Sequence, residues 1–467
     1  MAGERIHVRQ ADRAAPRRAA PGTFTWGDLF AAAAIASIAV VLWIWFAGHG
    51  ALSITEPGSA VGSLGLLTGL LAADFMLIQA AMLARIPWVE QAWAHGTLVR
   101  WHSRLGYASF WLMIAHVVLF AAQSLGLGQR DGADALLRLF VTDPWLLWAS
   151  VGTALLILVV VTSIRAARRR LRYESWHLIH LYAYLGMAFA LPHIIADGAD
   201  FRGVAAQVYW WSIYAFVLAA LIVFRVALPI GRSLGHRMRV GEVRVEAPGI
   251  VSVTITGRRL DRFHSRAGQF FVWRFLDGPG SSRGHPYALS AAPEPGRLRI
   301  TVEAVGEGSE RAAGLRSGAR VLVEGPYGTM TEERRTRQRM LLMAAGIGIT
   351  PLRALLEEAH YSSGEATLLN RFHGDEPLFS VELDRLARDR GVEVHHLAGR
   401  RRAEGSWLPA GLADGRSDAE TLLDLVPDAA DRDVFLCGPP AWMASARSAL
   451  VAAGVPAAAI RSENFAW

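Results

Sequence analysis

Not one of the 48 basic residues in this sequence is lysine. Arginine alone carries positive charge, a bias of genomic base composition rather than of chemistry. Cysteine is almost as scarce: Cys437 stands alone, which excludes an internal disulfide framework and a cysteine-ligated iron–sulfur cluster. Charged residues make up only 19% against 52% hydrophobic, too apolar a mixture for an ordinary soluble protein, so part of the chain must be embedded. The formal charge of +7 is accompanied by no nucleic-acid motif, and the arginines cluster beside apolar segments as membrane topology requires, so nucleic acid is not expected as a partner. No EF-hand loop is present, nor an internal repeat. No cleavable signal peptide is evident either, because the first apolar run begins only near Leu29 and continues to about full membrane length.

What is present in quantity is long apolar sequence. Runs at 29–48, 61–84, 103–124, 145–165, 177–196 and 207–230 predict six transmembrane helices, each near the roughly 20 residues needed to cross a bilayer. Arginines precede the first run, lie between the second and third (Arg85, Arg100, Arg104) and follow the fourth (Arg165, Arg168, Arg169, Arg170, Arg172), whereas the opposite connections carry acids such as Glu56, Asp131 and Asp143. That asymmetry predicts a multi-pass protein of a bacterial cell membrane with both termini cytoplasmic. Residues 1–27 read as a flexible cytoplasmic tail.

Two of the apolar runs contain histidine, costly in lipid and therefore a mark of function. His102 and His116 are fourteen residues apart, about 21 Å along a helix and roughly 40° from the same face. His180 and His193 repeat the device, thirteen residues apart and on an ideal helix roughly 140° out of line, an offset that a distortion at Pro192 would relieve. Imidazole is an axial ligand of haem iron, so one histidine from each helix at each depth would clamp a haem: His102 with His180, and His116 with His193. His177 competes with His180 for the inner site.

After Arg232 the periodicity changes. Short β-type runs punctuated by Gly and Pro predict an antiparallel β-barrel over 233–335, and alternating strands and helices predict an α/β doubly wound nucleotide-binding domain over 336–467. With the all-α six-helix bundle of 28–232, the fold class is a multidomain membrane protein. In AAGIGITP, Gly346 and Gly348 fall between an apolar strand and a helix, where glycine lets a pyrophosphate approach the backbone at the helix N-terminus.

The soluble half, with HPY at 285–287, the Gly346/Gly348 turn and CGP at 437–439 in that order and spacing, resembles the ferredoxin-NADP reductase superfamily. Joined to six helices with two spaced histidine pairs, it resembles the ferric reductase and NADPH oxidase family of flavocytochromes b. The resemblance implies FAD in the barrel, NADPH in the last domain and two b-type haems in the bundle. It carries His285 to the FAD phosphates and, with Pro286 beside it, Tyr287 to the isoalloxazine. Ala288 stands where the family has a hydroxyl near the hydride-accepting nitrogen, so backbone amides or Ser290 must substitute. Gly306, Gly308 and Ser309 resemble a second flavin phosphate turn, a pattern that a plain hairpin also fits. Gly346, Gly348, Thr350 and Pro351 would hold the nicotinamide cofactor's pyrophosphate. Cys437, Gly438 and Pro439 would lie near the nicotinamide. Arg371, Arg400 and Arg401 would clamp a 2′-phosphate, since guanidinium forks suit phosphate. The family covers its flavin with a C-terminal aromatic, here Trp467 or Phe465.

The implied activity is a transmembrane oxidoreductase passing electrons from cytosolic NADPH to an acceptor on the outer side. Animal NADPH oxidases have a further histidine one turn beyond the outer ligand, where Phe120 stands here, and an arginine in the second helix that this chain lacks. A ferric chelate is therefore the first expectation for the acceptor, with dioxygen reduced to superoxide as an alternative. An extracytoplasmic redox partner is a third.

Overall fold

A computed structural model describes residues 26–48, 57–93, 95–125, 142–171, 173–198, 203–278, 283–412 and 415–463. Two compact units divide the chain at Arg225 and Val226.

The first unit holds the membrane-length helices. α1 (Trp26–Ala47), α2 (Pro57–Met82), α3 (His95–Ser124), α4 (Pro144–Ser163), α5 (Tyr173–Asp197) and α6 (Val204–Ala220) correspond one to one with the predicted runs, although α3 begins earlier than its run and α6 ends before its run does, and each belongs to a span long and apolar enough to cross a membrane. Helix α4 starts where it does because Pro144 sits at its first turn and the Asp143 carboxylate accepts from Trp145 N at 2.8 Å and Leu146 N at 3.2 Å. Hydrocarbon offers helices no hydrophobic drive to associate, so close approach at small residues has to hold them. A Cβ on Gly152 of α4 would lie 2.7 Å from the Gly186 carbonyl of α5, and α2 turns Gly62, Gly65 and Gly69 toward Gln123, Phe120 and His116 of α3. Helix α5 continues through Pro192 to Asp197. After α6 the helix widens to a π-helical turn, Leu221–Ala227, and the division between the units falls inside it.

The second unit begins with α7 (Leu228–His236). Six strands follow: β1 (Arg239–Ala247), β2 (Ile250–Thr256), β3 (Phe270–Leu276), β4 (His285–Ala288), β5 (Arg297–Glu303) and β6 (Arg320–Tyr327). They form one antiparallel sheet in the order β4-β3-β6-β1-β2-β5 around a core of Val253, Ile255, Phe271, Trp273 and Ile300. Among the described residues the edge strands are joined by a single bridge, Leu289 to Ile300, so the expected barrel is incompletely closed. Ser233 of α7 accepts from Val323 N at 3.1 Å, which ties the helix to β6.

The last layer alternates strand and helix: β7 (Met340–Ala345), α8 (Ile349–Glu358), β8 (Ala366–Phe372), α9 (Ser380–Arg390), β9 (Glu393–Ala398), α10 (Asp418–Leu425), β10 (Asp433–Cys437), α11 (Pro440–Ala452) and β11 (Ile460–Glu463). Its sheet is parallel, in the order β11-β10-β7-β8-β9. The strand order reverses between β7 and β10, the switch point where doubly wound sheets bind ligands beyond their strand ends.

Candidate functional site

In the membrane unit, the imidazoles of His102 on α3 and His180 on α5 face each other with ring centroids 5.9 Å apart. Two imidazoles sharing one metal, each with an N–metal bond of about 2 Å, have centroids about 6 Å apart, so this pair suits a bridging metal. His177 stands against Trp176 at 6.4 Å, and it is His180 that meets His102. Deeper in the bundle His116 has Phe120 beside it at 5.0 Å and lies within electrostatic reach of His193, the residue after Pro192 on α5.

Both α3 histidines are anchored in the same way. His102 Nδ1 lies 3.2 Å from the Gln79 carbonyl and His116 Nδ1 lies 2.8 Å from the Gly65 carbonyl, both on α2. A carbonyl only accepts, so each Nδ1 carries the proton and each Nε2 keeps its lone pair. That is the tautomer an iron ligand needs, and a second hydrogen bond of this kind commonly orients metal-binding histidine. Nearer the α4 end, Ser163 Oγ lies 3.3 Å from His180 Nδ1. Backbone carbonyls have no sequence signature, so sequence reasoning missed Gly65 and Gln79.

In the antiparallel layer, His285 and Tyr287 project from β4 with their rings stacked, 6.0 Å between centroids and 18° between planes. Trp273 Nε1 donates to the Tyr287 carbonyl at 3.1 Å and holds the strand. Phe275, Arg283, His285, Tyr287, Arg311 and Leu315 line a recess, which adds two guanidinium groups, Arg283 and Arg311, that the motif reading did not include. Burial pushes the Tyr287 hydroxyl up to about 12, so it stays protonated near neutrality. Pro286 pairs with Val272 and Ala288 with Phe270 in the β3–β4 ladder. Gly306 precedes a helical turn, Glu307–Glu310 with Gly308 inside it, and Ser309 Oγ accepts from Val305 N at 2.9 Å and Gly306 N at 3.1 Å, bracing that loop. Ser290 is fully buried, and its hydroxyl accepts from Thr301 at 2.8 Å and Arg299 at 3.2 Å, so both acceptor positions of the substitute considered for Ala288 are engaged.

At the switch point, the turn Gly346–Gly348 leads from β7 into α8. Gly346 has φ +57°, and a Cβ on Gly348 would lie 2.3 Å from the Cys437 carbonyl, so both positions require glycine. A Cβ on Gly438 would meet Trp442 and Ala345. The two predicted motifs therefore touch, although about ninety residues separate them. Thr350 is buried and donates to the Ile347 carbonyl at 2.9 Å, closing the turn, with Pro351 next in the first turn of α8. Pro439 caps α11. Burial, with Glu463 nearby, pushes the Cys437 thiol well up, so it is a compact neutral group here and not a thiolate.

Beyond β8 and β9, Arg371, Arg400 and Arg401 converge, and among the described residues none of them pairs with a carboxylate. Arg371 is 6% exposed, with Nη2 3.3 Å from the Gly399 carbonyl and Nε without a partner. Burial and Arg401 lower its basicity, and burial, Arg371 and Arg400 together hold His373 below its usual range. Cations gathered without an acid between them raise a positive potential that attracts anions. His373, two residues beyond Arg371, was missed by sequence reasoning because nothing local marks it.

Carboxylates of the nucleotide layer fix that layer against the antiparallel one. Glu357 accepts from Ala292 N at 2.6 Å, Glu358 from Ala267 N at 2.5 Å and Glu463 from Thr329 N at 2.8 Å. Glu382 accepts from Arg299 through both oxygens at 2.8 Å and lies 2.7 Å from Arg353 Nε, while Arg353 Nη1 donates to the Ser290 carbonyl at 3.0 Å. These arginines hold the Glu382 carboxyl below its usual range against the opposing effect of burial. Phe465 and Trp467 lie outside the described residues.

The family model described as ferric reductase like transmembrane component matches residues 68–191, the stretch that contains three of the four paired histidines. The ferredoxin reductase component of 3-ketosteroid-9-alpha-monooxygenase from Mycolicibacterium smegmatis is 31% identical over 251 residues, 51% of this chain and 67% of that protein. Its Mycobacterium tuberculosis counterpart is 30% identical, with 56% of its length covered. NADPH oxidase 5 of Homo sapiens is 24% identical over 345 residues, 62% of this chain and 43% of the human protein. Among solved structures, the flavohemoglobin of Malassezia yamatoensis aligns over 89% of this chain and 98% of its own with TM-score 0.42 and 17% identity.

Proposed function

The chain belongs to the ferric reductase and NADPH oxidase family, and from that premise we propose that it carries electrons from cytoplasmic NADPH, by way of FAD and two b-type haems, to ferric chelates on the outer side. The observation that carries the reading is the anchored pair of α3 imidazoles, one of them 5.9 Å from the His180 ring of α5 and both holding Nδ1 on an α2 carbonyl. When bound, the nicotinamide supplies hydride, the flavin converts it to single electrons and the haem irons relay these through the bilayer.

The residues of the chain bind and orient. His102 with His180, and His116 with His193, would hold the irons at two depths, with the Gln79 and Gly65 carbonyls fixing the rings on α3. Tyr287 would lie on the isoalloxazine, while Arg283, His285 and Arg311 neutralise the FAD phosphates. The turn Gly346–Gly348 and the N-terminus of α8 would take the nicotinamide cofactor's pyrophosphate. Arg371, Arg400 and Arg401 would select the 2′-phosphate. Glu357, Glu358, Glu382 and Glu463 hold the nucleotide layer against the antiparallel layer, which would orient a bound nicotinamide toward a bound flavin. At the outer level Phe120 packs against His116 where animal oxidases have histidine, leaving that ring with an apolar neighbour; this favours a chelate, which needs only an accessible haem edge, over dioxygen bound at a polar site.

The test uses proteoliposomes with the flavin side facing out and a ferric chelate plus a ferrous-specific dye trapped inside. NADPH added outside should colour the lumen. Superoxide as the sole product would move the reading to the oxidase. A second reading is electron delivery to an extracytoplasmic protein in place of a chelate. It predicts no turnover with chelate until that partner is added.

A further inference from the structure

Asp74 takes no part in the function proposed above, yet it is an acid placed inside a membrane-length helix. It lies on α2, fully buried among Val41, Leu70, Leu77 and Trp210. Its Oδ1 accepts from Ser37 of α1 at 2.6 Å and from Tyr209 of α6 at 2.8 Å, and those two hydroxyls are 2.7 Å apart. Its Oδ2 has no partner.

An intramembrane acid is costly and calls for a task. Among the described residues its surroundings supply no counter-charge. On α1 the only charged residue is Asp28, in the first turn and nine residues before Ser37. On α6 the titratable groups are Tyr209 and Tyr214; Arg225, in the π turn beyond, donates to the Leu83 carbonyl at 3.2 Å. Helix α5 reaches the same apolar cluster through Ile194 and carries His193 beside it. Along α2, Asp74 lies five residues from Gly69, which faces His116, and five from Gln79, which binds His102. Each interval is about 7.5 Å of rise, and each turns Asp74 about 140° away from the face that meets α3. The acid thus stands midway between the two histidine levels, on the opposite side of the helix that anchors both.

We propose that Asp74 is a proton-binding site coupled to electrons in the bundle: its carboxylate takes one proton from water as one electron enters and returns it as that electron leaves. The inference rests on the proposed haem ligation. One O–H bond forms at Oδ2, because Ser37 and Tyr209 already donate to Oδ1, and one O–H bond of a hydronium ion in bulk water breaks. The added positive charge offsets the added negative charge, and no other bond changes. In a low-dielectric interior such compensation lowers the electrostatic cost of holding an electron.

The experiment is a potentiometric titration of the haem bands of the full-length chain across a series of pH values, with a reduced-minus-oxidised infrared difference spectrum. The midpoint should fall as pH rises, and reduction should add a carboxylic acid C=O band. Asp74→Asn keeps an oxygen that accepts from Ser37 and Tyr209, so it should retain haem while losing both the pH dependence and the band. Should that variant lose haem, Asp74→Glu should keep haem and shift the band in frequency. Unchanged pH dependence in Asp74→Asn, no carboxylic band in the unmodified chain, or a midpoint that follows sodium concentration in place of pH would each overturn the proposal and leave the haem ligation standing. A chain without haem bands would overturn both.

Discussion

His116 Nδ1 sits 2.8 Å from the carbonyl oxygen of Gly65, and fourteen residues away on each helix His102 Nδ1 repeats the contact with the carbonyl of Gln79. The two helices run in opposite directions, so equal spacing on both brings equivalent groups together at two depths. Gly65 and Gly69 make the upper contact possible, because a Cβ at either position would meet the α3 side chains.

A Cβ added at Gly69 would lie 2.5 Å from His116 Nδ1, and the ring would have to move. Gly69→Ala should therefore lower haem content from two per chain toward one, measured by pyridine haemochrome, with NADPH-dependent flavin reduction unchanged. Retention of both haems would show that the ring is not placed by α2.

His116→Ala or His193→Ala should remove the outer haem alone, leaving the inner haem and flavin reduction intact. Loss of both haems from a well-folded variant would contradict two independent depths.

The six spans were legible because each is a run of about twenty apolar residues, a length set by the bilayer. The Gly346/Gly348 and Cys437–Pro439 motifs were legible as motifs, and the strand order explains their meeting, since β7 and β10 are neighbours across the switch point. The carbonyl anchors, the Asp74 cluster and the interlayer carboxylates were not legible. Ser37, Asp74 and Tyr209 are up to 172 residues apart and carry no local pattern. Only packing of α1, α2 and α6 joins them. The incompletely closed barrel has a similar origin, since one bridge between distant edge strands decides it.

Arg400→Ala with Arg401→Ala should raise KM for NADPH about tenfold or more, because a hydrogen bond to a charged group contributes about 1.5–3 kcal/mol. KM for NADH should hardly move. Equal effects on both cofactors would remove the 2′-phosphate assignment.

His373 adds a pH dependence whose sign is fixed. Burial, Arg371 and Arg400 hold its imidazole below the ordinary range, and a phosphate beside it would favour the protonated ring. The preference for NADPH over NADH should therefore increase as pH falls from neutrality through that lowered range. His373→Ala should flatten the profile, measured as the ratio of kcat/KM values.

Glu382→Ala would take away the carboxylate to which Arg299 donates and beside which the Arg353 guanidinium lies, at the contact of the antiparallel and nucleotide layers. The expected loss is about 1–3 kcal/mol, read as earlier flavin release in denaturant. Because the native carboxyl titrates below its unfolded value, its contribution is present above the ordinary carboxylate range. It is lost as pH falls through the lower folded value. The unmodified chain should lose this advantage over Glu382→Ala in acid.

The most direct test of the electron path is an anaerobic visible spectrum of the purified chain before and after NADPH, with haem counted by pyridine haemochrome. Two b-type haems per chain, both reduced by NADPH, are the predicted result. Absence of haem, or haem that NADPH cannot reduce, would contradict the ligand assignment of His102, His116, His180 and His193 and leave only a membrane-bound flavin reductase.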